Sequence, residues 1–523
     1  MTQALSRFRG RRAARLQRGV VAVLCAQLLL GACQAKSIEL RAGTSGGEPM
    51  PPPVQALRMP SPQWPGAAVA RTAPNFQAPS ATDCARPIAT REILGERERH
   101  RTASALPSKR SLRVGEPVGL RESEVHETEK APSRSAADKP VAESTLVPVM
   151  PTQAPVPVPV PKPRAAPAAT GNGDRMVEPG APVTAGMVDD NADFAEYLRF
   201  RDRTRVAHRA RDVRERYLLQ VRDARGIVVP DAEVAVQSPS GAAMWARTDA
   251  GGRAWLHPDA FDSAHSSLYE VTVRKEGQQS SAFLRRGQKS AVDVVLADIA
   301  TPAPARLDLV FLIDATGSMA DEIGRLKTTL RSIANEVAQL PSRPDTCFGL
   351  VAYRDKGDEF LLRSHDFTNN LAAFQGVLNA LQANGGGDYP EAMNEALHET
   401  VHRLSWRGSG ATRMVVLLAD APPHLDYGGP QYDDDMLAAL GKGIKVFSVG
   451  ASGLDKQGEY VQRQIAQYTG GRFVFLTYKD ADRPSSGPGR ETVHDVNNYS
   501  VQTLDRLIVR LVTEELAKLP KPG

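Results

Sequence analysis

The sequence predicts a multidomain chain. Its C-terminal part is a doubly wound α/β domain, preceded by a small all-β sandwich and a long Pro-rich region. Three observations predict this. From Arg306 onward, apolar β-branched runs of strand length alternate with helical stretches, the pattern of a largely parallel sheet covered by helices on both faces. From Tyr217 to Leu296, short alternating runs separated by turn signals replace that period. From Gln34 to about Asp190 no period is sustained, and Pro, Ser, Ala, Thr, Arg and Glu dominate. A length of 523 residues accommodates several domains. The net charge of +5 is small for that length, so no nucleic-acid partner is expected.

Residues 1–18 carry Arg7, Arg9, Arg11, Arg12, Arg15 and Arg18. Gly19 to Leu30 is apolar and too short for a comfortable membrane span. Leu30-Gly31-Ala32-Cys33 follows and resembles a bacterial lipobox. That resemblance implies a signal peptide over 1–32, lipid on Cys33, and a membrane anchor in the cell envelope, in the bacterial outer membrane. Residues 33–190 are expected to be a disordered tether. Within it Met150 to Ala168 alternates Pro with small residues, which blocks ladder hydrogen bonds and favours polyproline II. Residues 191–216 read as a charged helix with a solvated face. Residues 217–300 read as an antiparallel β-sandwich. The pattern Val221-Arg222-Asp223, Gly226 and Val229-Pro230-Asp231-Ala232-Glu233-Val234, followed by Thr248-Asp249-Ala250-Gly251-Gly252-Arg253-Ala254, is similar to immunoglobulin-like or carboxypeptidase-regulatory-like modules, which implies a structural spacer. Cys25, Cys33, Cys84 and Cys347 follow no metal or redox spacing, and no disulfide framework is legible in them.

Within 306–519 the expected order is strand 307–313, helix 320–340, strand 346–353, an edge strand near 359–364, helix 369–382 and a glycine loop. Helix 390–404, strand 413–419, helix 431–441, strand 444–449, helix 456–468, strand 472–477 and helix 500–517 complete it. Tyr478 to Asn498 reads as an irregular, mobile loop. Sites in such sheets form at the carboxyl ends of strands. There the apolar run Leu307-Asp308-Leu309-Val310-Phe311-Leu312-Ile313 stops at Asp314, and Thr316 and Ser318 follow. A carboxylate and two hydroxyls are hard oxygen ligands, suited to Mg²⁺, Mn²⁺ or Ca²⁺ rather than zinc. A competing reading has Asp314 capping the next helix, with the hydroxyls satisfying backbone N–H groups.

Asp314-Ala315-Thr316-Gly317-Ser318 resembles the D-x-S-x-S metal loop of von Willebrand factor type A domains, with Thr replacing the first Ser. Gly385-Gly386-Gly387-Asp388-Tyr389-Pro390 and the strand from Met414 to Ala419 that precedes Asp420 extend the resemblance. It implies a metal-ion-dependent adhesion site built from Asp314, Thr316, Ser318, Asp388 and Asp420. The family's second loop supplies a Thr at the place that Asp388 takes here. A third carboxylate is expected to strengthen ion binding and to leave the ion less electrophilic toward an incoming carboxylate. His424 is expected at the surface.

A rival pattern lies in the same domain. His398-Glu399-Thr400-Val401-His402 matches H-E-x-x-H, in which two histidines one helical turn apart hold zinc and the Glu acts as base. Met393, Leu397, Val401 and Leu404 read as the packing face of that helix, leaving both histidines on a solvated face with Glu391 and Glu395, and no third ligand follows at a typical distance. No G-x-S-x-G elbow between a strand and a helix and no phosphate-binding G-x-x-x-x-G-K-[ST] loop is read; the letters Gly43-Thr44-Ser45-Gly46-Gly47 fall in the aperiodic tether. The expected function is metal-dependent protein binding, an ion bridging to an Asp or Glu of an unidentified protein ligand, and not catalysis. The alternatives are a zinc metallopeptidase and a scaffold with a purely structural metal.

Overall fold

A computed structural model describes Cys84 and residues 89–96, 182–297, 299, 304–387 and 389–521. The expected signal peptide, Cys33, most of the tether and Asp388 lie outside the described residues. Among the described residues no helix is long and apolar enough to cross a membrane.

Strand β10 (Arg306–Asp314) is the axis of the α/β domain. It pairs in parallel with β11 (Asp345–Tyr353) on one side and β13 (Thr412–Ala419) on the other. A strand flanked on both sides and covered on both faces has no solvated side, which is why this run does not alternate with polar residues. Its side chains still alternate in direction. Leu307, Leu309, Phe311 and Ile313 enter one core with helices α2 (Ala320–Ala338), α3 (Leu371–Ala380) and α7 (Leu504–Leu516). Val310 and Leu312 enter the opposite core with α4 (Met393–His402), α5 (Tyr432–Gly441) and α6 (Lys456–Tyr468). The parallel run continues through β14 (Ile444–Gly450) to β15 (Phe473–Thr477).

Chain that precedes the all-β region adds one strand on each side of this sheet. Beside β11 lies β12 (Phe360–Thr368), expected as an edge strand; instead β1 (Thr90–Leu94) pairs with it antiparallel. The disulfide Cys84–Cys347 fastens that covering segment to β11, its Cα atoms 6.0 Å apart. This corrects the reading that found no disulfide. At the far edge β2 (Thr184–Val188) pairs antiparallel with β15 and with β16 (Gln502–Thr503). Two pieces of the expected tether are therefore strands. Covering edge strands removes unpaired backbone groups that would template pairing with another chain.

The region from Tyr217 forms two sheets. One is three-stranded, with β3 (Tyr217–Asp223) between β6 (Arg253–Leu256) and β9 (Val292–Leu296). The other is four-stranded, in the order β5 (Ala243–Arg247), β4 (Glu233–Gln237), β7 (Leu268–Lys275) and β8 (Gln278–Arg285). The pairing is not wholly antiparallel as expected: β3 and β9 run parallel. The core of this module includes Met436 and Leu440 of α5 and Tyr460 and Tyr468 of α6, so it is packed onto the α/β domain. Buried Asp231 fastens the junction, accepting from Arg413 at 2.8 Å and Arg247 at 2.9 Å.

Helix α1 (Phe194–Arg203) starts at Asp193, whose carboxylate accepts from the Glu196 N–H, and is shorter than the helix expected over 191–216. Of the arginines beyond it, Arg205, Arg209 and Arg214 are exposed, whereas Arg211 and Arg216 are half-buried. Arg209 and Arg211 pair with Asp433 of α5, and the Arg216 guanidinium lies 3.7 Å from the Phe194 ring and 3.9 Å from that of Trp255. The irregular loop after β15 is tied back by bridges from Tyr478 to Pro488 and Glu491.

Candidate metal centre

Asp314 closes β10 at the carboxyl edge of the sheet. The Thr316 N–H and hydroxyl both donate to its Oδ1, at 3.0 and 2.7 Å, and the Thr316 and Ser318 hydroxyls are 3.0 Å apart. The structure thus brings Asp314, Thr316 and Ser318 together. Thr316 is buried and Ser318 is exposed, so the group opens to solvent on the Ser318 side.

The glycine loop is held against this turn by backbone. Gly317 N–H donates to Gly385 O at 2.9 Å, and Asn384 N–H to Ala315 O at 3.0 Å. Arg354 spans both loops, donating to Ala315 O at 3.2 Å and Gln382 O at 3.0 Å. Gly386 has φ +72°, and a Cβ there would lie 2.8 Å from the Thr316 Cβ and 2.9 Å from Glu391 Oε1. A left-handed conformation and a close approach both demand glycine at this point. The Gly386 N–H is taken by Asp358 at 2.8 Å.

Two more carboxylates converge here. Asp420 follows β13 and is 4% exposed. Glu391 is 3% exposed, and its N–H donates to Pro422 O at 3.1 Å, which docks the segment after the glycine loop onto the Asp420 loop. Sequence reading had placed Glu391 on a solvated helix face and assigned the second loop's ligand to Asp388. The available signal was its position just after the glycine loop and ahead of α4. Asp314 Oδ2, Asp420 Oδ1 and Glu391 Oε2 are all buried without a hydrogen-bond partner.

Burial holds all three groups toward the protonated form, and negative neighbours add to it at Asp420 and Glu391. Asp314 is raised chiefly by burial against the opposing hydrogen bonds of Thr316. Asp420 is raised by burial and then by Asp314. Glu391 is pushed up to about 10, by burial first and then by Asp314, Asp355, Asp420 and Asp358. The Tyr353 hydroxyl, also buried, feels the same three carboxylates and is held well above the ordinary phenol value, again mainly by burial. Among the described residues, no Lys or Arg forms an ion pair with Asp314, Asp420 or Glu391. Unpaired buried carboxylates are costly unless a cation offsets them. Oxygen donors of this number and hardness, in a cradle that a Cβ would fill, fit Mg²⁺, Mn²⁺ or Ca²⁺.

His424 is buried, not at the surface, with its Nε2 3.2 Å from Asp355 Oδ1. The H-E-x-x-H segment sends its Glu and its two histidines to different partners. Glu399 is buried on the side of the β1–β12 edge, where it accepts from Arg91 at 3.1 Å and Ser364 at 3.0 Å. A carboxylate committed in this way is not a free base beside the histidines. His398 and His402 are part-exposed and meet Asp435 of α5, a residue the sequence reading did not associate with them.

Residues 308–425 match the von Willebrand factor A domain family. A 159-residue stretch is 27% identical to an alpha-protein kinase of Dictyostelium discoideum, covering 29% of this chain and 24% of that protein. A 120-residue stretch is 28% identical to an ariadne-like RING finger protein of Acanthamoeba polyphaga mimivirus, covering 23% of this chain and 11% of that one. The chain thus spans less than a quarter of the length of either curated relative. Among solved structures it is similar to the pilus adhesin SpaC from Lactobacillus rhamnosus GG in an open conformation, at 16% identity and a TM-score of 0.25, covering 40% of this chain and 29% of that one. The loop, the strand ends and the family match agree in location: the chain carries a von Willebrand factor A domain at residues 308–425.

Proposed function

We propose that this domain binds a protein ligand through a divalent cation held by Asp314, Thr316, Ser318 and Asp420, with Glu391 as a further carboxylate and Asp388 completing the set from the glycine loop. The observation that carries this reading is the convergence of three buried carboxylates with unpaired oxygens and, among the described residues, no Lys or Arg ion-paired with them. When bound, the ion supplies a positive centre to which a partner's Asp or Glu is attracted. The chain's own part is positioning. Thr316 fixes the Asp314 rotamer through two hydrogen bonds, Gly386 leaves the space, and Arg354 locks the two loops together. Tyr389, 50% exposed beside the glycine loop, offers an aromatic contact of the kind enriched at binding hot spots. The reading is one of binding and not of turnover. Export and lipid anchoring through Cys33, in the envelope of a bacterium, belong to the same proposal, with the module from 217 as a spacer.

The test is capture from envelope extract by the full chain in Mg²⁺ and in chelator. Mg²⁺-dependent capture that disappears in Asp314→Ala supports the reading. Capture that persists in chelator keeps the fold and discards the metal-bridged mechanism.

A further inference from the structure

His398 and His402 lie one turn apart on α4, with rings stacked at 4.4 Å between centroids. His398 Nδ1 and His402 Nε2 approach the same atom, Asp435 Oδ1, at 3.0 and 2.9 Å. Asp435 belongs to the first turn of α5 and is 2% exposed, and its other oxygen, Oδ2, is buried without a partner. The three adjacent acids of that turn divide their roles. Asp433 and Asp434 take the guanidinium groups of Arg209 and Arg211, whereas Asp435 meets only imidazole among its ion-pair partners in the described residues.

We propose that His398, His402 and Asp435 form a second metal site, for an imidazole-preferring divalent ion of the zinc class, that ties α4 to α5. One ligand atom from each residue lies within 4.8 Å of the others. Zinc–ligand bonds of about 2.0–2.2 Å in a tetrahedron put ligand atoms about 3.4 Å apart, so each His–Asp435 separation, 3.0 and 2.9 Å, has to open by only about 0.5 Å. Two imidazoles and one carboxylate suit zinc and its later first-row neighbours, whereas the all-oxygen centre suits Mg²⁺, so the two sites sort ions by donor type. The arrangement of two imidazoles around one carboxylate also has a metal-free explanation, in which each ring donates an N–H to Oδ1. That explanation leaves Oδ2 buried and unsatisfied; a bound ion satisfies the carboxylate by charge. The fourth position faces solvent, since the two histidine side chains are 40% and 32% exposed. Glu399 points to Arg91 and Ser364 instead, so the site is a clamp and not a hydrolytic centre. The clamp has a mechanical consequence. Helix α5 carries Met436 and Leu440 into the core of the β module, so an ion fixing α5 to α4 also fixes the platform on which that module sits.

The test is Co²⁺ titration of the untagged full chain in excess Mg²⁺, followed by visible absorption and calorimetry, with Zn²⁺ competition. One equivalent of Co²⁺ with the intense bands of a four- or five-coordinate site, displaced by Zn²⁺, is the expected result. His398→Ala and His402→Ala each weaken binding by about 100-fold or more, and the near-isosteric Asp435→Asn by about 10- to 100-fold. Asp314→Ala leaves this titration unchanged, which separates it from the oxygen centre. Absence of a stoichiometric Co²⁺ complex, or Co²⁺ affinity unchanged in His398→Ala and His402→Ala, overturns the proposal.

Discussion

The two ends of β10 treat a buried aspartate in opposite ways. At the amino end Asp308 meets Arg407, itself 1% exposed: its Oδ1 lies 2.6 Å from Nε, and its Oδ2 accepts the Arg407 backbone N–H at 2.9 Å. The same guanidinium reaches Asp345 at 2.7 Å and the carbonyls of Leu307 and Asp345. Burial pushes the Asp308 carboxyl up, but Arg407 opposes it. At the carboxyl end, six residues on, Asp314 is as deeply buried, has negative neighbours, and has an oxygen with no partner. One end is a closed structural network. The other is an incomplete one, and in a folded domain an incomplete buried network marks a place where something binds.

The comparison breaks most visibly at the closed end. Arg407→Ala leaves Asp308 buried and uncompensated and should cost about 3–5 kcal/mol in denaturant unfolding. Replacing Asp308 and Arg407 together by apolar residues should recover most of that loss. At the open end, Gly386→Ala forces a side chain into the left-handed region and against Thr316 and Glu391. It should cost about 1–3 kcal/mol and abolish divalent-ion binding, read by thermal unfolding with and without Mg²⁺.

Proton linkage sharpens the contrast. The carboxyls at the open end have folded-state pKa values raised above their unfolded values near 4, as far as about 10 for Glu391. The folded, chelated protein therefore holds protons that the unfolded chain releases. Their contribution to stability is complete below the unfolded pKa and is lost as pH rises toward the raised values. In chelator the melting temperature should fall between about pH 5 and about pH 9. The stabilisation gained on adding Mg²⁺ should grow over the same range, reaching about 2.7 kcal/mol at a hundredfold excess over Kd. A metal effect that shrinks with rising pH would contradict the assignment. The smallest effect belongs to the part-exposed pair Arg363–Glu92, where Glu92→Ala should cost under about 1 kcal/mol, because solvent screens it.

Most of the α/β domain was legible because its period is strong. Leu307 to Ile313 and Met414 to Ala419 are buried on both faces, and Asp314 stands where the apolar run stops. What escaped was long-range or short. Thr90–Leu94 and Thr184–Val188 are five-residue strands with no period of their own, and they depend on edges that exist only after the sheet has formed. Cys84 and Cys347 are separated by 263 residues, so spacing carries no signal. Glu391 looked like a helix-surface acid, yet α4 begins only at Met393. Asp435 was invisible as a partner of His398 and His402 because the packing of α4 on α5 is a tertiary fact.

The most direct test of the central claim is a Mn²⁺ titration of the full chain, followed by electron paramagnetic resonance of the free ion, with wild type and Asp314→Asn side by side. The substitution removes the charge and keeps the shape, so chelated Asp314→Asn should fold at least as stably as chelated wild type. We expect wild type to bind Mn²⁺ stoichiometrically, with Mg²⁺ competing, and Asp314→Asn to lose at least about 100-fold in affinity. Equal Mn²⁺ affinity in the two proteins would contradict the account.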